Sequence, residues 1–173
     1  MELVVKHFNE LSRDELYEIY RLRVSVFIVE QNCPYQDIGE ADRSAYHLWL
    51  EDEDGIVAYA RVLPAGVLFD EPSVGRVISV KRRLGYGSII VEEGKKVAME
   101  RFGASTIVVE AQVYARTLYE KVGFRQVSDM FLEDGIPQEH KDSIDMARDY
   151  LRRARVLVVC GGKGDETVKN DIA

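Results

Sequence analysis

The stretch Arg82-Arg83-Leu84-Gly85-Tyr86-Gly87-Ser88 stands between a β-branched run, Val74 to Val80, and an amphipathic segment that reaches Phe102 and stops at Gly103. A strand, a glycine turn and a helix start in that order form an anion site. Glycines let the backbone approach a ligand, and the free N–H groups of a first helical turn favour negative charge. Two arginines add to that field. The turn is not a dinucleotide fingerprint, because the third glycine is missing. It is not a Walker loop, because no Gly-Lys-Ser/Thr follows. On its own, a Gly-x-Gly turn is more often only a tight turn.

One strand and one helix later comes Gln112-Val113-Tyr114-Ala115-Arg116-Thr117-Leu118-Tyr119-Glu120-Lys121-Val122-Gly123-Phe124. Alone it reads as a short amphipathic helix, Val113 to Val122, with a glycine cap and Tyr119 as a half-buried aromatic. Working outward, Leu3, Val5 and Phe8 open the chain as a strand. Ser12 and Glu15 form a capping box, and Leu16, Ile19, Tyr20, Arg23, Val26 and Phe27 follow at helical spacing. Arg23 is the one charge on that apolar stripe, and it suits a polar site at the core edge. Tyr46 to Leu50 and Ile56 to Leu63 pair across Asp54-Gly55, and Val74 to Val80 completes a meander. Gly94 within the second helix costs about 1 kcal/mol against alanine. Ser105 to Ala111 and Phe124 to Leu132 read as strands, with a further short one at Ser143 to Met146. The order predicts a mixed α+β domain around one twisted sheet.

Composition narrows the function. The 173 residues carry a net charge of −7, which argues against general nucleic-acid or anionic-membrane binding. Cys33 and Cys160 are too few for a disulfide framework, and neither CxxC nor HExxH occurs, so no metal is expected. No signal-peptide h-region opens the chain, and no apolar run is long enough to span a bilayer. A cytoplasmic location is the expectation.

Together the two motifs resemble the GNAT acyltransferase superfamily. Arg82, Gly85 and Gly87 match its Arg/Gln-x-x-Gly-x-Gly/Ala pyrophosphate loop. Ala115, Leu118, Tyr119, Gly123 and Phe124 match its Asn-x-x-Ala-x-x-Leu-Tyr-x-x-x-Gly-Phe segment, with Gln112 where asparagine is usual. The N-terminal half is similar to the ElaA family in Leu22-Arg23-Val24-Ser25-Val26-Phe27-Ile28-Val29-Glu30-Gln31-Asn32-Cys33-Pro34-Tyr35-Gln36-Asp37. So are Ala58 to Pro64, Gly75-Arg76-Val77, Glu110-Ala111-Gln112 and Glu133-Asp134-Gly135-Ile136-Pro137. The resemblance covers roughly Leu3 to Met146. It divides the chain into a domain at 1–146 and an unassigned C-terminal extension at 147–173, in which Arg155 to Cys160 has strand character. Residues Gln138 to Ser143 lengthen the usual ElaA ending, and Ile38-Gly39-Glu40 replaces its Asp-Gly.

The resemblance implies a GNAT fold with splayed central strands, Val74–Val80 and Ser105–Ala111, and acetyl-CoA as cosubstrate. The pantetheine arm would pair with Ile78, Ser79 and Val80. Arg82, Arg83, Leu84, Gly85, Tyr86, Gly87 and Ser88 would hold the pyrophosphate, with Gln112 close by. A backbone N–H near Ile78 or Val80 would polarise the thioester carbonyl, and Tyr119 would be the proton donor to the leaving thiolate. Glu30, Glu110 and His47 are the alternatives for general base, Glu30 first. Arg23, Phe27, Gln31, Cys33, His47 and Arg76 are the candidate acceptor-site residues. A covalent role for Cys33 lacks a neighbouring base. The acceptor is a small-molecule or peptide amine, and the acidic composition favours a cationic one. A homodimer is compatible with the family. A non-catalytic acyl-CoA-binding or protein-interaction module, and transfer of a longer acyl chain as in homoserine-lactone synthases, remain alternatives.

Overall fold

The computed structural model describes residues 1–129, 131–132 and 154–161. The strands are β1 (Glu2–His7), β2 (Tyr46–Asp52), β3 (Gly55–Leu63), β4 (Ser73–Ser79), β5 (Thr106–Gln112), β6 (Arg125–Gln126), β7 (Phe131–Leu132) and β8 (Ala154–Gly161). The helices are α1 (Arg13–Arg23), α2 (Tyr86–Phe102) and α3 (Arg116–Lys121). One mixed sheet runs β1-β2-β3-β4-β5-β8-β6, with β7 also on β8. The predicted α+β architecture is the observed one.

The alternation of β2 and β3 divides the core in two. Leu48, Leu50, Ala58, Ala60 and Val62 face α2, together with Val74, Ile90, Val91, Val97, Ile107 and Val109. Trp49, Tyr59 and Ile78 face the other way and pack on Ile19 of α1, with Leu22, Val26 and Phe27 around them. The capping box of α1 is complete. The Glu15 N–H donates to Ser12 Oγ at 3.2 Å, and the Ser12 N–H donates to Glu15 Oε2 at 2.8 Å.

Gly94 has a different role from the weak spot its helix propensity implies. A Cβ there would stand 3.1 Å from Val74 Cγ1 and 3.7 Å from Val62 Cγ2. The missing side chain lets α2 settle onto β3 and β4, and this close approach offsets the propensity cost.

Three expectations need correction. α1 ends at Arg23 as an α-helix, and Val24–Glu30 continue as a wider π-helical coil. The Gln31 N–H reaches Val26 O and the Cys33 N–H reaches Ile28 O, both five residues back, at 3.2 Å each. Phe124 to Leu132 is not one strand, because β6 and β7 are separate two-residue pieces. Between them Gln126 Nε2 donates to Ser128 O at 2.6 Å, a local bond that competes with a sheet ladder. Finally, residue 146 does not bound the sheet. β8, from the extension, pairs with the whole length of β5 from Thr106↔Gly161 to Gln112↔Arg155. The expected strand at Ser143 to Met146 and the Gly-Ile-Pro turn lie outside the described residues.

The central strands part company, as expected. β4 and β5 run parallel, and their one register pair is Ser73↔Val108, beside the bond from the Val108 N–H to Pro72 O at 3.0 Å. Beyond it β4 is held only by β3, so its edge facing β5 keeps unpaired backbone groups over the rest of its length. On the β3 side β4 carries a bulge. The register passes from Arg61↔Gly75 to Tyr59↔Ile78, so Arg76 and Val77 stand opposite Ala60 alone. Arg76 occupies left-handed backbone there, at φ +54°.

Candidate active site

The open edge of β4 leads directly into the glycine turn. Gly85 lies at φ +82° and Arg83 at φ +64°, so the chain folds back to start α2 at Tyr86. The Ser88 and Ile89 N–H groups both turn to Gly85 O, at 3.0 and 3.2 Å. The Tyr86 and Gly87 N–H groups have no preceding turn to bond, and they stand ready for an anion. A Cβ on Gly87 would lie 3.5 Å from Leu118 Cδ1 and 3.9 Å from Ser79 Cβ. The end of β4, the start of α2 and α3 therefore converge on one spot. Leu84 and Val80 are exposed around it.

The strand also selects among its N–H groups. The Val80 N–H is engaged with Val57 O at 2.9 Å. N–H groups alternate sides along a strand, so Ile78 points toward β3 as well, and Ser79 turns its N–H to the open side. Of the backbone N–H groups near Ile78 and Val80, that of Ser79 is the one on the open side.

Tyr119 follows Leu118 on α3 and belongs to the core on the α2 side. Its ring is buried and meets Phe124 edge-on, with centroids 5.9 Å apart at 83°. Burial first, then the Tyr114 phenol, holds its hydroxyl well above the usual tyrosine range, so it keeps its proton. On β5, Ile107, Val109 and Ala111 belong to the α2 side. Strand alternation therefore sends Glu110 and Gln112 to the α1 side. There Gln112 Nε2 donates to Gln31 Oε1 at 3.1 Å, joining β5 to the end of the π-helical coil.

Glu30 lies elsewhere. Its carboxylate pairs with Arg82 at the protein surface, beside the glycine turn. The first-ranked base is thus engaged with the arginine assigned to the pyrophosphate; Glu110, which also has a partner, shares a sheet face with Gln112. The Cys33 side chain is half-buried at the turn that ends the coil. Among the described residues no group of His, Cys, Asp and Glu is arranged to hold a metal.

Arg23 and His47, expected at the acceptor site, are both wholly buried. Arg23 Nε donates to Asp37 Oδ2 at 2.9 Å, its Nη1 to Asp42 Oδ1 at 2.7 Å, and its Nη2 to Asp37 O at 2.9 Å. Arg61 Nη1 donates to Asp42 Oδ1 at 2.9 Å, and Arg76 Nε to Asp37 Oδ1 at 2.5 Å. The network ties the loop after Pro34 to α1, β3 and β4. Asp37, Asp42, Arg61 and Tyr59 carry no local site signal in the sequence. The one signal was Arg23, a charge on an apolar stripe that called for a buried counter-charge.

His47 closes the network. Its Nε2 lies 3.3 Å from Asp42 O, a carbonyl that only accepts, so this nitrogen carries the proton. Its Nδ1 then accepts from the Tyr59 hydroxyl at 2.7 Å. A second proton would break that bond, and burial lowers the pKa to about 4. The unfolded chain takes up the proton near pH 6.5. The resulting stability is complete above pH 6.5 and is lost as pH falls to about 4, by about 3 kcal/mol. Urea unfolding at pH 7 and pH 4.5 should show this drop. His47→Gln should flatten it, and an unchanged drop in that variant would contradict the assignment.

A family model described as an acetyltransferase (GNAT) domain matches residues 15–140. The chain belongs to the GNAT acetyltransferase family. It is 42% identical over 141 residues to a UPF0039 protein of Schizosaccharomyces pombe, covering 79% of this chain and 93% of that one. It is 34% identical over 152 residues to protein ElaA of Escherichia coli, covering 84% and 95%. The crystal structure of Escherichia coli ElaA superposes with a TM-score of 0.76 at 28% identity, covering 92% of this chain and 98% of that one. An acyl-CoA N-acyltransferase from Pseudomonas aeruginosa shares the fold, with a TM-score of 0.76 at 24% identity over 93% and 100% of the two chains. The GNAT resemblance and the ElaA likeness read from the sequence both hold. GNAT proteins use an acyl-CoA as cosubstrate, and the parted strands with the glycine turn fit one. No helix among the described residues is long and apolar enough to cross a membrane.

Proposed function

We propose that this GNAT protein transfers an acetyl group from acetyl-CoA to a primary amine, by direct attack of the amine on the thioester. The observation that carries the reading is the opening between β4 and β5, which ends at the unengaged N–H groups of Tyr86 and Gly87. The β4 edge would receive the pantetheine amides as an added strand does. The turn from Arg82 to Ser88 would hold the pyrophosphate by backbone N–H groups and arginine charge. When bound, acetyl-CoA supplies an acyl carbon already activated by its thioester.

The residues of the chain do the rest. The Ser79 N–H, on the open side of β4, faces the charge that develops on the carbonyl oxygen. Glu110, on the α1 side of β5, takes the proton that the amine loses as its C–N bond forms. Tyr119 hydrogen-bonds the sulfur as the C–S bond breaks. Glu110 is taken ahead of Glu30 as the base for its position on the sheet face that carries Gln112, not for lack of a partner, since each residue has one.

The test is titration with acetyl-CoA, followed by release of free CoA with a panel of amines. Gly87→Leu fills the space between Ser79 and Leu118. It should weaken acetyl-CoA binding at least tenfold, which corresponds to about 1.4 kcal/mol. Absence of acetyl-CoA binding at millimolar concentration would sink the reading. Binding without CoA release from any amine would leave an acyl-CoA-binding module.

A further inference from the structure

Arg76 is the member of the buried network that reaches the surface. Its side chain is 30% exposed, whereas Arg23 and Arg61 are at 0% and 4%. Its backbone is left-handed at φ +54°, in the bulge of β4. A long side chain in that region is strained, and it persists only where the surroundings hold it. A bulge re-aims a side chain, and such features recur beside active sites.

The head group is held in place on three sides. Nε is fixed on Asp37 Oδ1 at 2.5 Å. The guanidinium carbon lies 5.7 Å from the Phe27 ring centroid and 5.7 Å from that of Tyr35. The Tyr35 hydroxyl donates to the same Asp37 oxygen at 3.1 Å. Among the described residues, Nη1 and Nη2 of Arg76 have no hydrogen-bond partner. A guanidinium fixed at Nε and in contact with two aromatic rings presents the two-pronged donor edge that matches a carboxylate.

Local charge agrees with this. Arg23, Arg61 and Arg76 meet only Asp37 and Asp42, which leaves one positive charge in excess. Arg61 Nε is buried without a partner, so the arginines in the network exceed its acceptors. The network itself therefore carries one positive charge in excess, although the whole chain is acidic and Glu110 lies on the same side of the sheet.

We infer that Arg76 binds a carboxylate on the acceptor, so that the amine acetylated belongs to a small amino-acid-like molecule. The inference rests on the acetyltransferase reading above for its chemistry, but carboxylate binding can be measured without turnover. Arg76→Asn is the variant of choice. Asparagine tolerates left-handed backbone, Asp37 keeps Arg23, and the network becomes neutral. Arg76→Lys keeps the charge and loses the two-pronged edge.

Wild-type protein should be assayed with several α-amino acids, their carboxamides and their decarboxylated amines. The carboxylates should exceed the other two by at least tenfold in kcat/KM. Arg76→Asn should abolish that preference and Arg76→Lys most of it, with acetyl-CoA affinity unchanged in both. Equal rates for acid and amide in the wild type would overturn the inference. So would Arg76→Asn slowing every acceptor alike. If no amine is turned over, thermal shift with the amino acids decides. A shift in the wild type that is lost in Arg76→Asn supports the carboxylate site while acetyl transfer fails. No shift in the wild type overturns the site itself.

Discussion

Asp42→Ala is expected to destabilise the protein by about 3–5 kcal/mol, a large part of the 5–15 kcal/mol typical of a domain. Asp42 is 1% exposed and holds two arginines through a single oxygen, Oδ1, at 2.7 and 2.9 Å. Its Oδ2 accepts from the Gly39 N–H at 3.2 Å. Burial alone would raise the carboxyl pKa, but Arg23 and Arg61 outweigh it and hold the group below the ordinary aspartate value. The carboxylate thus contributes fully at pH 7, and its contribution fades only as pH falls below about 4. That window lies below the one in which His47 acts, so the two effects separate by pH.

The cost arises from what is left behind. Without Asp42, two guanidiniums face each other in a dry interior, and removing one member of a buried pair costs more than the pair itself contributes. Arg61 is the weaker survivor, since its Nε already lacks a partner. The double variant Asp42→Ala/Arg61→Leu should recover part of the loss, because it removes one unpaired charge and fills its volume with carbon. Urea midpoints at pH 7 for the two singles and the double would measure this coupling. A loss below 1 kcal/mol in Asp42→Ala would show that water reaches the network.

The network also marks where the sequence stopped being legible. Ser12 with Glu15, Asp54 with Gly55, and Gly85 with Gly87 act within a few residues, and each does what its chemistry predicts. Arg23 meets its partners at Asp37 and Asp42, 14 and 19 residues on. No local pattern connects those positions. The same holds for β8. The β-branched run in Arg155 to Cys160 announces a strand, but its place against β5 depends on long-range register. The π-helical coil is a third case. Its apolar residues satisfy ordinary helical spacing, and the wider turn shows only in the backbone bonds that span five residues, such as Gln31 N–H to Val26 O. The motif foretells a glycine turn before a helix, and Gly85 at φ +82° before α2 is that turn. Motif resemblance is less informative about Glu30, whose surface partner Arg82 is 52 residues away.

Tyr119→Phe is expected to lower kcat about 100-fold, which is about 2.7 kcal/mol of transition-state stabilisation. The raised pKa of the hydroxyl limits what it can do. A thiol titrates near 8.5 and an ordinary phenol near 10. Burial and Tyr114 push Tyr119 higher still, so complete proton transfer from it to a thiolate is uphill. The phenol therefore acts as a fixed hydrogen-bond donor that becomes stronger as charge grows on sulfur. Such an interaction is made in the transition state and hardly at all in the ground state, so it appears in kcat and not in binding. Phenylalanine keeps the edge-on contact with Phe124 and the packing of α3. Acetyl-CoA affinity by titration should then stay within about twofold of the wild type. If kcat is unchanged, or if affinity falls in proportion to rate, Tyr119 is a packing residue and the sulfur must be served by another donor. Because the hydroxyl stays protonated throughout, the wild-type rate should show no loss on the alkaline side attributable to Tyr119 below pH 10, where an exposed tyrosine would begin to ionise.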